Sequence, residues 1–142
     1  MPVELLISHT VCEKIRTLAS GAYPEEGCGI LLKRSGSNRI SDAQSIRNMI
    51  SGEKAKRFFM IDPLELAEIE KKTENEGLTI AGFYHTHPDS RACFSKEDEE
   101  FMVPGMFYMI LSVKGGRCDD VRIYIKEEPG SDVTEAGLRE AE

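Results

Sequence analysis

Three residues of types that bind divalent metal ions lie close together in the second half of the chain. His85 and His87 are separated by one residue, and Asp98 follows after a short segment. In an extended segment, side chains at positions i and i+2 point to the same face, so both imidazoles can reach one ion. Two imidazoles and one carboxylate leave the fourth position of a tetrahedral ion open for water, which is typical of catalytic zinc. The spacing therefore predicts a catalytic metal site.

The same residues also have purely structural interpretations. A His-x-His pair at the end of a strand can be two surface histidines, and Ser95-x-x-Asp98 is close to the capping box that begins many helices. Taken alone, the capping interpretation of Ser95 and Asp98 is the better one. Their occurrence together with two histidines, at the end of an apolar strand where ligand-bearing loops are common, favours the metal site.

The elements around these residues are predicted to bring them together. Residues 78–84 have the composition of a buried strand, and this strand delivers the two histidines at its end. Pro88 then ends the strand, and a loop leads to a short helix that begins at Ser95. The first turn of this helix can point Asp98 back at the histidines.

The other predicted elements favour an α+β domain with a mixed, largely antiparallel sheet and helices packed on it. The turns at Gly36-Ser37-Asn38 and Gly115-Gly116 are typical of hairpins, which argues against an all-parallel sheet. Helices are predicted to start at the N-caps Ser8 and Asp62. They end near Gly21 and Glu76, and strands are predicted over residues 3–7, 28–33, 39–48, 58–61, 78–84, 107–113 and 121–125.

The chain has 142 residues, a length typical of one domain with one hydrophobic core. We assign residues 1–126 to that domain. Residues 127–142 carry six acidic side chains and one basic side chain, and Pro129 and Gly130 break any regular pattern. We therefore expect an acidic C-terminal tail that is solvated, with at most a frayed helical segment over residues 133–141.

The charge distribution bears on the partners of the protein. The formal net charge is −7, and most of it lies in the expected tail. No basic face for phosphates follows from the remaining sequence, so nucleic acid is a poor candidate partner. The sequence also lacks a glycine-rich phosphate loop, which argues against a nucleotide site.

Hydropathy and cysteine usage bear on the compartment. No apolar run approaches the roughly 20 residues that a membrane span needs. The start Met1-Pro2-Val3-Glu4 lacks the basic and apolar regions of a secretory signal, so we expect a cytoplasmic protein with no membrane partner. The four cysteines form no C-x-x-C pair, so we expect free thiols that mostly act as small apolar residues.

The segment that contains the histidines resembles the JAMM (MPN+) family of zinc metalloproteases. His85-Thr86-His87-Pro88, the seven residues 88–94 and Ser95-x-x-Asp98 match the family motif His-x-His-x₇-Ser-x-x-Asp at every defining position. The resemblance spans most of residues 1–126, including Asn48, residues 58–62 and the Gly82-Phe83-Tyr84 segment before the histidines, and it does not cover the tail. It implies an MPN/JAMM-like, cytidine deaminase-like fold in a single domain.

The family also requires a glutamate on an upstream segment. Tyr23-Pro24-Glu25-Glu26-Gly27-Cys28-Gly29 is similar to the Pro-x-Glu-x-Cys-Gly form of small bacterial members. Aligning the proline, the cysteine and the final glycine selects Glu26 rather than Glu25. By sequence alone Glu26 would be a solvated loop acid, so its role is implied by the resemblance only.

The sequence departs from the family pattern at two positions. Family members often have serine at the position of Thr86, which keeps a hydroxyl, and often proline at the position of Phe94. Neither difference removes a metal ligand. We expect Cys93 and Phe94 to border the cleft and to affect substrate preference.

The resemblance implies a mechanism. Zinc would be held by His85, His87 and Asp98, and Glu26 would act as the base for the zinc-bound water. Zinc brings the pKa of such a water to about 7, so a carboxylate base suffices at neutral pH. Ser95 would donate a hydrogen bond to the oxyanion, which is a contact worth about 3 kcal/mol in other hydrolases.

The resemblance also implies a partner. Small family members act on ubiquitin-like proteins, particularly sulfur carriers with a Gly-Gly tail, and cleave after the last glycine. An extended glycine tail can lie along a strand edge as an added strand. Release of cysteine from the carrier is the leading specific case. The alternatives are a catalytically silent MPN-type module that binds a ubiquitin-like partner, and a zinc hydrolase of small molecules or nucleic acid similar to RadC-type relatives.

Overall fold

The computed structural model describes residues 3–141, and its seven strands close into a barrel. The strand order around the barrel is β1-β3-β2-β4-β5-β6-β7. The strands are β1 (Glu4–Ile7), β2 (Cys28–Arg34), β3 (Arg39–Ile46), β4 (Leu78–Pro88), β5 (Phe107–Lys114), β6 (Arg117–Ile125) and β7 (Thr134–Glu140). The helices are α1 (His9–Ala22), α2 (Pro63–Asn75) and α3 (Lys96–Glu100), with a 3-10 helix over Gly52–Lys56.

The sheet is mixed, as predicted. β1 pairs in parallel with both β3 and β7, and β4 pairs in parallel with β5. The remaining ladders, β2 with β3 and β4, and β6 with β5 and β7, are antiparallel. Closure of the strands into a barrel is not part of the sequence-based expectation, because it depends on a strand that the sequence pattern does not indicate.

The two long helices begin at the predicted caps. The hydroxyl of Ser8 accepts a hydrogen bond from the Val11 amide at 3.2 Å, and the Asp62 carboxylate accepts one from the Leu64 amide at 3.0 Å. Pro63 occupies the first turn of α2, where its missing N–H removes no helical hydrogen bond. Both predicted N-termini are thus confirmed.

Three groups of buried apolar side chains form the core. The largest lies between α1 and the barrel strands and includes Leu5, Ile15 and Leu111. A second group, around Ile30 and Ile69, packs α2 against β2 and β4. A third group joins β5 and β6 to the loop that precedes β5. Each fully buried aliphatic side chain contributes roughly 1.5–3 kcal/mol to folding, so these groups fix the barrel on which the candidate site is built.

The strand predicted over residues 58–61 is wrong. The chain forms a 3-10 helix over Gly52–Lys56, and residues 58–61 have no regular secondary structure. Phe58 and Met60 are exposed rather than buried in a sheet. An uninterrupted apolar run of four residues carries no period of its own, so it does not distinguish a strand from an irregular segment that lines a cleft.

The solvated tail with a frayed helical segment is also wrong for most of its length. Residues Thr134–Glu140 form β7, which pairs with β1 on one side and with β6 on the other. Only Ala136 of this strand is buried, so the pattern of apolar residues gives little sign of a strand. Its backbone N–H and C=O groups instead form hydrogen bonds with β1 and β6. These partners are distant in sequence, so the segment's own residues do not predict the strand. Residue 142, at the end of the expected tail, lies outside the described residues, as does the start at residues 1 and 2.

Other expectations hold with shifted boundaries. β4 extends beyond the predicted residue 84 to Pro88 and therefore includes the two histidines. β6 begins at Arg117 rather than at residue 121, directly after the predicted Gly115-Gly116 turn. All four cysteines are free thiols, and of these Cys12 and Cys28 are buried. Among residues 3–141, no helix is long and apolar enough to cross a membrane.

Candidate metal centre

The end of β4 brings the two histidines together. β4 lies between β2 and β5, so its backbone position is fixed by ladders on both sides, and His85 pairs with Cys28 and Ile110. The two imidazoles lie on the same face of the strand, and their Nε2 atoms are 3.1 Å apart. His85 is buried, with 2% of its surface exposed.

Asp98 reaches both histidines from the first turn of α3. Its Oδ1 atom is 3.1 Å from Nε2 of His85, and its Oδ2 atom is 3.2 Å from Nε2 of His87. Asp98 also completes a capping box, because Oδ2 accepts a hydrogen bond from the Ser95 amide at 2.8 Å while the Ser95 hydroxyl accepts one from the Asp98 amide at 3.0 Å. The two interpretations of Ser95 and Asp98 are therefore compatible, since the cap holds the carboxylate against the histidines.

The spacing of these donor atoms fits a small tetrahedral ion. A tetrahedral ion with bonds of about 2.0–2.2 Å separates its ligand atoms by about 3.3–3.6 Å. The three contacts among His85, His87 and Asp98 measure 3.1, 3.1 and 3.2 Å, so a small outward adjustment admits such an ion. Imidazole nitrogen and carboxylate oxygen are also the donors that zinc accepts.

The loop after β4 fixes the orientation of the His87 ring. Nδ1 of His87 lies 2.8 Å from the carbonyl oxygen of Arg91. A carbonyl only accepts, so Nδ1 carries the proton and, in neutral His87, Nε2 presents a lone pair to the centre. That lone pair faces a second nitrogen and a carboxylate oxygen, an arrangement that a cation stabilises.

The neighbouring carbonyl groups of this loop are held as well. The Ser112 hydroxyl donates to the carbonyl oxygen of Ser90, and the Tyr124 hydroxyl donates to that of Ala92 at 2.8 Å. Both donors stand on barrel strands. The carbonyl that orients His87 therefore lies between two carbonyls fixed to the sheet.

The carboxylate of Glu26 lies beside the two histidines. One ligand atom of each of Glu26, His85 and His87 lies within 4.8 Å of the others. Glu26 precedes β2, and the next residue is clamped to β4: the Gly27 amide donates to the Thr86 hydroxyl at 2.8 Å, and the Thr86 amide donates to the Gly27 carbonyl at 2.9 Å. Thr86 stands between the histidines, so this pair of hydrogen bonds fixes Glu26 relative to both.

Burial and charge shift the ionisation of these groups. Glu26 is buried, which raises its pKa to about 7, while His87 opposes that shift and Asp98 adds to it. Burial also disfavours the ionised Asp98, but hydrogen bonds with His85 and His87 outweigh it and hold the pKa of this carboxyl well below its usual range. Burial lowers the pKa of His85, whereas at His87 burial is outweighed by the hydrogen bonds with Asp98 and the Arg91 carbonyl, which raise the pKa. A neutral imidazole and an ionised carboxylate are the forms in which these side chains bind metals.

The candidate site opens into a large cleft. The cleft has a volume of about 820 Å³. Glu26, Ser95 and the three predicted metal ligands all line it, so the structure brings every predicted site residue to one surface. Cys93 and Phe94 directly precede Ser95 but do not themselves line the cleft: Cys93 is exposed, and Phe94 packs edge-on against Tyr124 with ring centroids 5.1 Å apart.

Two further residues, Phe59 and Asn48, contact the site in ways that the sequence pattern does not predict. Phe59 stacks on the imidazole of His85, with ring centroids 4.7 Å apart and planes inclined by 24°. The side chain of Asn48 is hydrogen-bonded to the backbone of Glu26 and of the segment that carries Phe59. Both residues lie in segments that the family resemblance covers, but the resemblance gives them no role, and their contacts join segments that no local spacing in the sequence links.

Comparisons with known proteins identify the family. Residues 8–124 match the family described as prokaryotic homologs of the JAB domain. Over 107 residues, the chain is 31% identical to a desampylase from Haloferax volcanii, covering 75% of this chain and 76% of that protein.

Solved structures share the fold. A protein from Salinibacter ruber is 29% identical with a TM-score of 0.73, and the match covers 97% of this chain and 92% of that protein. A protein from Desulfitobacterium hafniense is 23% identical with a TM-score of 0.77 and coverages of 96% and 94%. A JAB1/MPN domain protein from Archaeoglobus fulgidus is 16% identical with a TM-score of 0.61 and coverages of 95% and 97%. With a family match over most of its length, this chain belongs to the prokaryotic JAB family, a group of JAMM/MPN-type domains.

Proposed function

We propose that this protein is a zinc-dependent metallopeptidase that hydrolyses the bond after the C-terminal Gly-Gly of a ubiquitin-like or sulfur-carrier protein. The observation that carries the proposal is the convergence of His85, His87 and Asp98 within 3.1–3.2 Å of one another, with Glu26 beside them, at a cleft. A module that only binds a partner has no need of this set of side chains.

Each of these side chains has a distinct role in the proposed reaction. His85, His87 and Asp98 would hold the zinc, which when bound lowers the pKa of its water to about 7 and polarises the scissile carbonyl. Glu26 is placed to accept the proton of the attacking water and to pass it to the leaving amine.

Ser95 has a free hydroxyl hydrogen for the reaction. Its oxygen accepts a hydrogen bond from the Asp98 amide, which leaves the hydroxyl hydrogen available to donate. Because Ser95 lines the cleft next to the ligands, this hydrogen can stabilise the negative charge that develops on the carbonyl oxygen. Ser95 would therefore start its helix and also take part in the reaction.

The surface around the cleft favours a protein substrate. Six large apolar side chains are exposed among the described residues, and four of them line the cleft: Phe58, Met60, Phe101 and Val103. A group of exposed apolar side chains around a site is typical of a surface that binds another protein. The similarity to a desampylase, a name that describes removal of a ubiquitin-like modifier, supports a partner of this class.

The test is direct hydrolysis of a defined substrate. Purified protein loaded with one equivalent of zinc is incubated with a small ubiquitin-like carrier that ends in Gly-Gly-Cys, and the carrier mass is followed by mass spectrometry. We expect loss of the terminal cysteine, no loss in the presence of a zinc chelator, and recovery when zinc is restored. A carrier that ends in Gly-Gly serves as the control, because it lacks the bond after the last glycine that would be cleaved.

The outcomes separate the proposed function from its alternatives. Binding of the carrier without cleavage, at full zinc occupancy, would identify a silent module and contradict the proposal. Hydrolysis of small esters or of nucleic acid with an intact carrier would identify the third class of function and would also contradict it.

A further inference from the structure

The side chain of Asn48 joins two parts of the candidate site. Its Nδ2 group donates to the carbonyl oxygen of Glu26 at 3.1 Å and to that of Phe58 at 3.0 Å. Its Oδ1 atom accepts from the amide of Ile50 at 3.0 Å and from that of Met60 at 3.1 Å. Two donors and two acceptors are the whole hydrogen-bonding capacity of an asparagine amide, and all four are used.

The bonds to Phe58 and Met60 enclose Phe59. The backbone is held on either side of this residue, and its ring is the one that stacks on His85. Residues 49–61, which we call the cleft wall, lack a strand to hold them. A backbone hydrogen bond from the Met49 amide to the Met60 carbonyl, 2.9 Å long, lies next to the Asn48 contacts.

The hydrogen bond from the Asn48 side chain to the Glu26 carbonyl connects the candidate base to the same side chain. Glu26 receives the Asn48 amide on its carbonyl oxygen, and its own amide donates to the carbonyl oxygen of Ala55 in the cleft wall at 2.6 Å. One side chain thus connects the backbone of the base to the segment that covers a metal ligand. A backbone position fixed from both sides limits where the carboxylate of Glu26 can lie.

We propose that Asn48 is a positioning residue that sets Phe59 against His85 and holds the backbone of Glu26 at the metal centre. The kinetic part of this inference depends on the proposed peptidase function. Its structural part, the coupling of the Asn48 amide to the stack on His85, does not.

Asparagine is the side chain that these four partners require. Aspartate has the same shape, but it presents an oxygen in place of Nδ2 to two carbonyl oxygens, so two attractive contacts become repulsive. Asn48→Asp therefore tests the donors while it leaves the volume unchanged. Asn75→Asp, at the exposed end of α2, is the matched control for the added charge.

The first measurement is kinetic, on the zinc-loaded protein. We expect Asn48→Asp to lower kcat about 10- to 100-fold, the range that a displacement of about 1 Å produces at an active site. Zinc stoichiometry should stay at one equivalent, since Asn48 contacts none of the predicted ligands. Asn75→Asp should keep the kcat of the unaltered protein. An unchanged kcat in Asn48→Asp would overturn the kinetic part of the proposal.

The second measurement needs no activity. The ring of Phe59 lies over His85, so the ring protons of His85 should have shifted NMR resonances in the zinc-loaded protein. We expect Asn48→Asp and Phe59→Leu to move these resonances in the same direction, and the double variant to move them no further than Phe59→Leu alone. Unmoved His85 resonances in Asn48→Asp would overturn the structural part.

A second variant covers the case in which Asn48→Asp does not fold. Asn48→Ser removes the amide without placing a charge against carbonyl groups, and the same NMR comparison applies to it. If the unaltered protein cleaves no carrier while the His85 resonances still respond to Asn48, the peptidase function fails and the structural coupling stands. If the carrier is cleaved and the resonances do not respond, the opposite holds.

Discussion

The two segments that line the cleft are built in different ways. The ligand segment, residues 85–98, begins in a strand with partners on both sides and ends in a capped helix. Between them, the carboxylate of Asp89 accepts from the Tyr23 hydroxyl at 2.7 Å and from the Gly115 amide at 2.9 Å. Carbonyl groups of the next residues are bonded to side chains of barrel strands or to His87.

The cleft wall has few such supports. Apart from one short 3-10 helix it is irregular, and its contacts with the site depend largely on Asn48 and on the stack of Phe59. It exposes Phe58 and Met60, whereas the ligand segment buries His85 and Thr86.

This difference indicates that the two segments have different functions. Metal ligands tolerate displacements of only about 0.5 Å, so they are placed on rigid elements. Segments that bind a partner are commonly irregular and exposed. Substitutions in the ligand segment should therefore affect metal binding and kcat, whereas substitutions of the exposed apolar side chains in the cleft wall should mainly affect KM.

The largest effect is expected from removing one of the proposed metal ligands. His85→Ala and Asp98→Ala should each lose stoichiometric zinc and all carrier hydrolysis above background, because two remaining ligands do not hold the ion. Elemental analysis after dialysis measures the zinc content. Glu100→Ala, which removes an exposed acid from the same helix, is the control and should bind one equivalent. Zinc content unchanged in Asp98→Ala would remove this residue from the ligand set.

The second largest effect is expected at Glu26, the proposed base. Glu26→Gln should keep one equivalent of zinc and lower kcat by about 10²–10⁴-fold, which is the usual contribution of general acid–base catalysis. The exposed neighbour gives a matched control, because Glu25→Gln makes the same chemical change one residue away and should keep full activity. Full activity of Glu26→Gln, like that of Glu25→Gln, would exclude Glu26 from the mechanism.

The ligand segment was also the part that the sequence predicted best. The histidine pair and the capping box are short-range patterns, and each fixes its local geometry through backbone periodicity or a cap. Glu26 needed the family resemblance, since nothing near it in the sequence signals burial. Asn48 and Phe59 fall within the resemblance, but they contact the site through segments distant in sequence, so local patterns could not reveal what they contact.

The fold shows the same distinction. The N-caps of α1 and α2 were predicted because Ser8 and Asp62 carry their own signal. β7 was missed because its stabilisation comes from the free edges of β1 and β6, to which its backbone is bonded. Its side chains are mostly exposed and charged, and they resemble those of a solvated tail.

A smaller effect is expected from the clamp between the base and the ligand strand. Thr86→Val keeps the shape of this buried residue but removes the oxygen that accepts the Gly27 amide. An unsatisfied buried donor costs about 1–3 kcal/mol, so chemical denaturation should show a loss of that size in the free energy of unfolding. We also expect kcat to fall about tenfold, within the 10- to 100-fold range for residues that support metal ligands.

Thr86→Ser distinguishes the contribution of the Thr86 hydroxyl from that of its methyl group, because it keeps the first and removes the second. Thr86→Ser keeps the acceptor for Gly27, so it should restore kcat to within a few-fold of the unaltered protein. It loses one buried methyl group, so part of the stability loss should remain, about 1 kcal/mol. A kcat of Thr86→Val equal to that of the unaltered protein would show that the clamp is not needed for catalysis.

The smallest effect is expected in the cleft wall, and it should appear in KM. Phe58 is 47% exposed, so about half of its burial energy is available to a partner. This corresponds to about 1 kcal/mol, or a rise in KM of about fivefold for a protein carrier in Phe58→Ala. Its kcat should not change, and a short peptide with the same C-terminus should be cleaved at the same rate as by the unaltered protein.

Leu64→Ala is the control, because it removes an exposed side chain that does not line the cleft, and it should leave both kcat and KM unchanged. A fall in kcat without a rise in KM for Phe58→Ala would mean that the cleft wall serves the chemistry directly, and the contrast between the two segments would not hold.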